Sequence, residues 1–338
     1  MKHPYSDIAH CDATAFFATS EPTDECEIHA QAHVTVAALQ QTLHALTDSG
    51  IENAVPMALL LYVQSKELQT LQYFFPIITQ LRGQRRQRWL HWFAQLLIHT
   101  PIDIAFIRND RHPAPLALRC MVVGQLVSCF VDRPDVLAAF VTTAPSFWLC
   151  ADERSYQRVG GIGGGCYVDT EHRILLIADR LFEGYRAAIP GVCPLLHELG
   201  HMLDGTNRRL RAEVFCRGDF PLMTRAHQSA WRRAKRDEVQ QYEQYRTNSA
   251  IIGRAPLGHP YVFQTDGEFL AGYWEMFWRN PNAFARTAPE LYLALTQYVN
   301  HDPRAYTTDY RGYVEGNAAF YARGERAWPR DIRIDESL

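Results

Sequence analysis

The sequence predicts an α+β fold that is mostly helical, with a small mixed sheet ahead of one motif-bearing helix and a later apolar helix set against it. Three observations carry this expectation. Residues Pro194–Gly205 place Leu195, Leu196, Leu199, Met202 and Leu203 at the i, i+1, i+4, i+7, i+8 rhythm of a helix with one buried face. Three short stretches rich in aromatic and β-branched residues lie just before it: Ser146–Cys150, Gly165–Asp169 and Arg173–Ile177. Well after it, Glu268–Trp278 is apolar nearly throughout and opens on a carboxylate.

From the N-terminus, residues 1–30 mix polar, acidic and small residues and are expected to be poorly ordered. Residues 31–110 read as a largely helical region, with helices at His33–Thr47 and Pro56–Leu81, the second broken at Pro76. The basic run Arg82–Arg88 is expected to be the solvated start of a helix continuing through Trp89–His99, since no aromatic platform or glycine loop accompanies it. Ile102–Ile107 alternates loosely as a strand does, and Leu116–Val131 reads as a buried helix. Between the first two of the three short strands lies Gly160–Gly165. No helix follows these glycines, so they are not a dinucleotide fingerprint, and a flexible loop near a cleft is expected. Thr170–His172 should turn the chain between the last two strands. Gly205 stands where a helix C-terminus favours glycine. Arg225–Arg246 reads as a long, charged, exposed helix, and Pro289–Val299 as the last helix before a C-terminal tail, 311–338. The principal domain is expected to span 111–310.

Composition excludes several classes. With 47% hydrophobic and 21% charged residues, the chain is globular. A formal charge of −3 offers no footprint for nucleic acid and no polybasic membrane surface. The most apolar run, Pro115–Val131, is interrupted by Arg119, so no membrane span is expected. Eight cysteines without a Cys-x-x-Cys pair, behind an N-terminus that has no apolar signal core, suggest reduced thiols in a cytoplasmic protein.

The chemistry is concentrated in His197-Glu198-Leu-Gly-His201. Two imidazoles four residues apart on a helix lie one above the other and can grip one zinc ion, with the glutamate between them placed to act on water. With 14 histidines in 338 residues, composition alone gives about 0.03 such matches. Catalytic zinc needs a third protein ligand. Glu213, His227 and His259 are candidates, but Glu268 is better placed, because a carboxylate opening an apolar helix needs a cationic partner. Glu275, seven residues later on the same face, suits support of a ligand from behind; the alternative for both Glu268 and Glu275 is a pair of carboxylates salt-bridged to arginines. Asp204 is set either to accept the free N–H of a ligand histidine or to bond Arg208. His29 and His33 share the four-residue spacing but lack a glutamate. Cys166, after the glycine run, is expected to be a packed thiol and not a metal ligand.

These residues carry a resemblance. From about Leu116 to Pro303 the chain resembles the Mlc titration factor A family of zinc peptidases, related to the catalytic domain of anthrax lethal factor. The matching pieces are His197-Glu-Leu-Gly-His201-Met-Leu-Asp204-Gly205, then Tyr261 followed by Glu268-Phe-Leu-Ala and Glu275-x-Phe277, then Asn280-Pro281, Pro289–Tyr292 and Asp302-Pro303. The resemblance implies a zincin-like fold, one Zn2+ per chain held by His197, His201 and Glu268, Glu198 as general base and Tyr261 as an active-site tyrosine. It also implies a cytoplasmic peptidase acting on peptide or protein substrates, with aminopeptidase and internal cleavage both open, and in one branch binding to a glucose-responsive transcriptional repressor. Thr265-Asp-Gly267 departs from the asparagine–proline stretch usual before the ligand.

The expected activity is therefore hydrolysis of peptide bonds. Zinc acidifies its bound water, Glu198 takes the proton and passes it to the leaving amine, and Tyr261 stabilises the oxyanion. The rival reading is a regulatory binding protein that keeps the zinc site and sequesters a partner such as a transcriptional repressor, with residues 31–110 as the docking element.

Overall fold

The computed structural model describes residues 75–105, 111–114, 116–178, 180–181, 193–213, 218–247 and 256–309. The expectations for 1–74, including both helices placed there, and for the tail at 311–338 lie outside the described residues. A 3-10 turn at Pro76–Gln80 takes up the chain where Pro76 was expected to break a helix. It leads into α1 (Gly83–His99), whose basic first turns are largely solvent-facing while Trp89, Leu90, Phe93 and Leu97 are buried. Then follow β1 (Ile102–Ala105), β2 (Arg111–Pro113), α2 (Leu116–Phe130) and α3 (Pro134–Thr143). The chain continues through β3 (Ser146–Cys150), the short α4 (Glu153–Arg158), β4 (Gly165–Val168) and β5 (Arg173–Ile177). The second half is helical: α5 (Pro194–Arg211), α6 (Arg225–Thr247), α7 (Asp266–Arg279), α8 (Pro281–Thr287) and α9 (Pro289–Val299).

The five strands form one mixed sheet in the order β2-β1-β3-β5-β4. The central trio β1, β3 and β5 is parallel, and the two edge strands β2 and β4 are antiparallel to their neighbours. Alternation sorts the strand residues between two faces. Ile102, Ile104, Phe147, Leu149, Ile174 and Leu176 join the main core with the helices. Cys150, Leu175 and Ile177 pack on the other face against Tyr156 of α4 and partly buried Cys166. A strand covered on both faces reads as a continuous apolar run, as Ile174–Ile177 does. Since β1 pairs with β3 and α1 shares the main core, the sheet crosses the boundary drawn at residue 110.

Helix α7 is hydrophobic all round, and Phe269, Leu270, Tyr273, Trp274, Met276 and Phe277 have essentially no exposed surface. That is the signature of a helix through the centre of a core. It crosses α5 where Gly200 meets Ala271: a Cβ on Gly200 would lie 2.5 Å from the Ala271 Cα. The missing side chain lets the two backbones approach. A methyl there would have to push the helices apart, at a cost of about 1–3 kcal/mol.

Two expectations need correction. Helix α5 does not stop at Gly205; it runs to Arg211 and closes on Ala212 in the left-handed region. Gly205 is a packing glycine, because the Tyr167 hydroxyl from β4 occupies the space a Cβ would take. Helix α6 is charged but not simply exposed: Trp231, Ala234, Lys235, Glu238, Val239 and Tyr242 are buried along one face. On that face Lys235 is paired to Asp266 at the start of α7. Trp231 donates to the Gly218 carbonyl at 2.8 Å. Charge content alone concealed that face. Helices α3, α4 and α8 and strand β2 are short elements without a strong period in the sequence, and they add to the expected set.

The β4–β5 hairpin is fastened to the C-terminal half of α5. His172, at a left-handed φ of 50° in the turn, is buried and bonds the Tyr167 hydroxyl at 2.8 Å. Its other nitrogen lies 3.2 Å from Thr143 and 3.4 Å from Thr206. Burial, with Arg209 nearby, lowers its pKa to about 4 and keeps the ring neutral. Asp169 in the same turn pairs with Arg208 and Arg209 of α5.

Candidate active site

Helices α5 and α7 bring three side chains to one point. His197 and His201 sit one turn apart on α5, partly buried, on the side opposite its leucines. Glu268 comes from the first turn of α7. Thr265 caps that helix by accepting the Glu268 N–H at 3.1 Å, and Thr-x-x-Glu is a sequence that could close a reciprocal capping box. The Glu268 carboxylate instead reaches the histidines. Its Oε2 lies 3.1 Å from His197 Nε2 and 3.5 Å from His201 Nε2. One donor atom from each of the three residues falls within 4.8 Å of the other two.

The electrostatics of this group are those of a cation site. Burial alone would favour a neutral His197, but bonds to Glu268 and Glu275 outweigh it and hold the ring's pKa well above the usual value. Burial alone would raise Glu268, yet His197 and His201 hold its carboxyl far below the ordinary range. A proton on His197 and a metal ion answer the same demand, positive charge among two imidazoles and a carboxylate. Two nitrogens and one oxygen also form a donor set that suits a catalytic metal with an open coordination position. The residues present therefore fit the ion.

Glu275 stands behind this group. It is buried, accepts the Cys193 N–H at 2.5 Å and lies 3.4 Å from His197 Nδ1. One carboxylate thus caps the first turn of α5 and orients the imidazole so that its Nε2 faces Glu268. Asp204 is one turn beyond His201 and also buried. It accepts the Asp219 N–H at 3.3 Å and lies 4.0 Å from Arg208, the partner that the sequence offered as an alternative.

Glu198 points to the opposite edge of the site, toward the sheet. It is 6% exposed and accepts the backbone N–H of Tyr167 in edge strand β4. Burial raises its carboxyl, the two histidines oppose the rise, and Glu268 adds to it. The approach of β4 depends on Gly165, where a Cβ would meet Glu198 Cγ at 2.8 Å. The glycine run that precedes β4 is held by Tyr156, which donates to the Ile162 carbonyl at 2.7 Å and packs on Gly161. Gly165 and Tyr167 are site residues that sequence reasoning missed; the glycine run was the only signal that pointed near them.

Tyr261 enters from the 3-10 turn Pro260–Phe263 ahead of α7. Its hydroxyl donates to Glu268 Oε1 at 2.7 Å, and its ring centroid is 6.3 Å from that of His197. Burial, then the Glu268 charge, push its phenol up, so it remains a donor. The other ligand candidates do not join this group. His259 accepts the Tyr261 N–H at 3.2 Å, while among the described residues no metal-binding cluster includes His227 or Glu213.

Residues 155–299 match the family model of the glucose-regulated metallo-peptidase M90. This is the family of Mlc titration factor A that the motifs resemble. The matched stretch runs from α4 to the end of α9 and contains every residue of the site, a narrower span than the motifs suggested. No curated protein matches the chain. The M90 match supports a metallopeptidase-type hydrolase with a metal ion as its cofactor. Among the described residues no helix is long and apolar enough to cross a membrane.

Proposed function

We propose that the chain is a zinc-dependent peptidase in which His197, His201 and Glu268 hold the ion, Glu198 is the general base and Tyr261 stabilises the oxyanion. The observation that carries this reading is the convergence of the three donors within 4.8 Å, beside a buried carboxylate that belongs to none of them. A bound zinc ion supplies Lewis acidity toward a carbonyl and acidifies water near neutral pH. The protein's own groups do the rest. Glu198, fixed by the Tyr167 N–H, takes a proton from water and returns it to the leaving amine. Tyr261 shifts its hydrogen bond from Glu268 to the oxygen that gains charge during attack. Edge strand β4, bordering Glu198, offers backbone groups to an extended peptide substrate.

Turnover of a peptide library tests the activity. Cleavage should be abolished by a chelator and restored by zinc. Intact metal binding without any cleavage would instead favour a protein that sequesters a partner. Tyr261→Phe should keep the metal and lower kcat on the order of 10²-fold, the scale of one lost oxyanion donor, with little change in KM. A kcat within about threefold of wild type would remove Tyr261 from the mechanism.

A further inference from the structure

We propose that Glu238, on α6 and remote from the ligands, is a positioning residue that sets the Tyr261 turn over the site; the proposal rests on the reading of Tyr261 above. Glu238 is 3% exposed. A carboxylate buried so deeply stays only where its oxygens are bonded. Its Oε1 accepts the Tyr273 hydroxyl at 2.6 Å and the Leu257 N–H at 3.4 Å. One acceptor thereby joins three pieces: α6, the middle of α7, and the segment that leads in four residues to Tyr261.

The turn that follows leaves little freedom. A Cβ on Gly258 would lie 2.6 Å from Val262 Cγ2 and 3.2 Å from the Tyr273 hydroxyl. A Cβ on Gly272 would lie 2.2 Å from Val262 Cγ1. Val262 is thus a knob between two glycines, one in the leading segment and one on α7. Next to it, Phe263 stacks on Tyr242 of α6, with centroids 4.0 Å apart and planes 3° from parallel. Tyr242 lies one helical turn after Glu238, so the same face of α6 holds both ends of the turn. Val262 and Phe263 are buried by these contacts, while Tyr261 remains 36% exposed and faces Glu268. Fixing its two neighbours aims the phenol. A donor that must meet a developing charge within a few tenths of an ångström needs such support, and misplacement by about 1 Å can cost on the order of 10²-fold in rate.

The test is a mutant cycle on the zinc-loaded protein with a fluorogenic peptide that the wild type cleaves. Glu238→Ala should leave zinc content and KM unchanged and lower kcat on the order of 10-fold or more. Glu238→Gln should restore most of the activity, because its amide oxygen still accepts both bonds. In the Tyr261→Phe background, Glu238→Ala should cost nothing further, since its effect runs through the hydroxyl already removed. Amide hydrogen exchange across residues 257–264 should quicken in Glu238→Ala and stay slow in Glu238→Gln. If Glu238→Ala does not fold, Tyr242→Leu takes its place in the cycle, removing only the stack on Phe263. An equal loss from the α6 variant in both backgrounds, or unchanged exchange in the turn, would overturn the proposal. A fully active Tyr261→Phe protein would be a failure of the Tyr261 reading itself, seen in the single variant before the cycle is closed.

Discussion

Glu198→Gln should leave the metal bound and reduce kcat roughly 10²–10⁴-fold, the range for loss of a positioned general base. Glutamine has nearly the same shape, and its amide oxygen can still accept the Tyr167 N–H, so the close packing of Gly165 against this side chain is kept. The ligand group is untouched, because Glu198 lies outside the cluster of His197, His201 and Glu268. What is lost is the capacity to take a proton from water in a site where the carboxylate is 6% exposed and little bulk solvent can substitute. Elemental analysis should find about one zinc per chain in both proteins, as for a single catalytic site. Activity within a few-fold of wild type, with the metal in place, would mean that Glu198 is not the base.

Glu268→Ala should abolish stoichiometric metal binding, and Glu275→Ala should weaken it by about 10–100-fold without abolishing it. The two carboxylates share a face of α7 but play unequal parts. Glu268 Oε2 touches both imidazoles, at 3.1 Å and 3.5 Å, so its removal deletes a donor and the carboxylate shared by the two rings. Glu275 touches only the far side of His197, and its other oxygen is engaged by the Cys193 N–H. Its loss lets the imidazole rotate and uncaps α5, yet all three donors remain. Competitive titration with a chromogenic zinc chelator measures both. The reverse order of effects would exchange their roles, and unchanged affinity in Glu268→Ala would send the third ligand elsewhere.

The local chemistry of the site was legible because it obeys local rules. The spacing of His197 and His201 and the leucine rhythm around them are properties of one helix, and a helix places i and i+4 together wherever it sits. The unusual carboxylates on apolar α7 were legible for a related reason: burial of a charge demands a partner, and the sequence held two in register. The short strands β3, β4 and β5 before α5 were visible from their composition, while the edge position of β4 was not.

Tertiary packing decided everything that depends on distance between elements. Gly205 reads as a helix cap, yet its meaning is Tyr167 on β4, and Gly200, which spacing leaves unmarked, is where α5 meets Ala271 of α7. The buried face of α6 hid behind its charges, because Lys235 and Glu238 find partners 31 and 35 residues away in the sequence, on α7. Asp204 accepts the Asp219 N–H, a partner fifteen residues on that only packing brings beside α5. By itself the sequence determined which groups could hold a cation, since ligand chemistry and helical periodicity are local. Only the tertiary structure decided what aims them, because the aiming residues act by filling space or accepting single hydrogen bonds, and neither leaves a period in the chain.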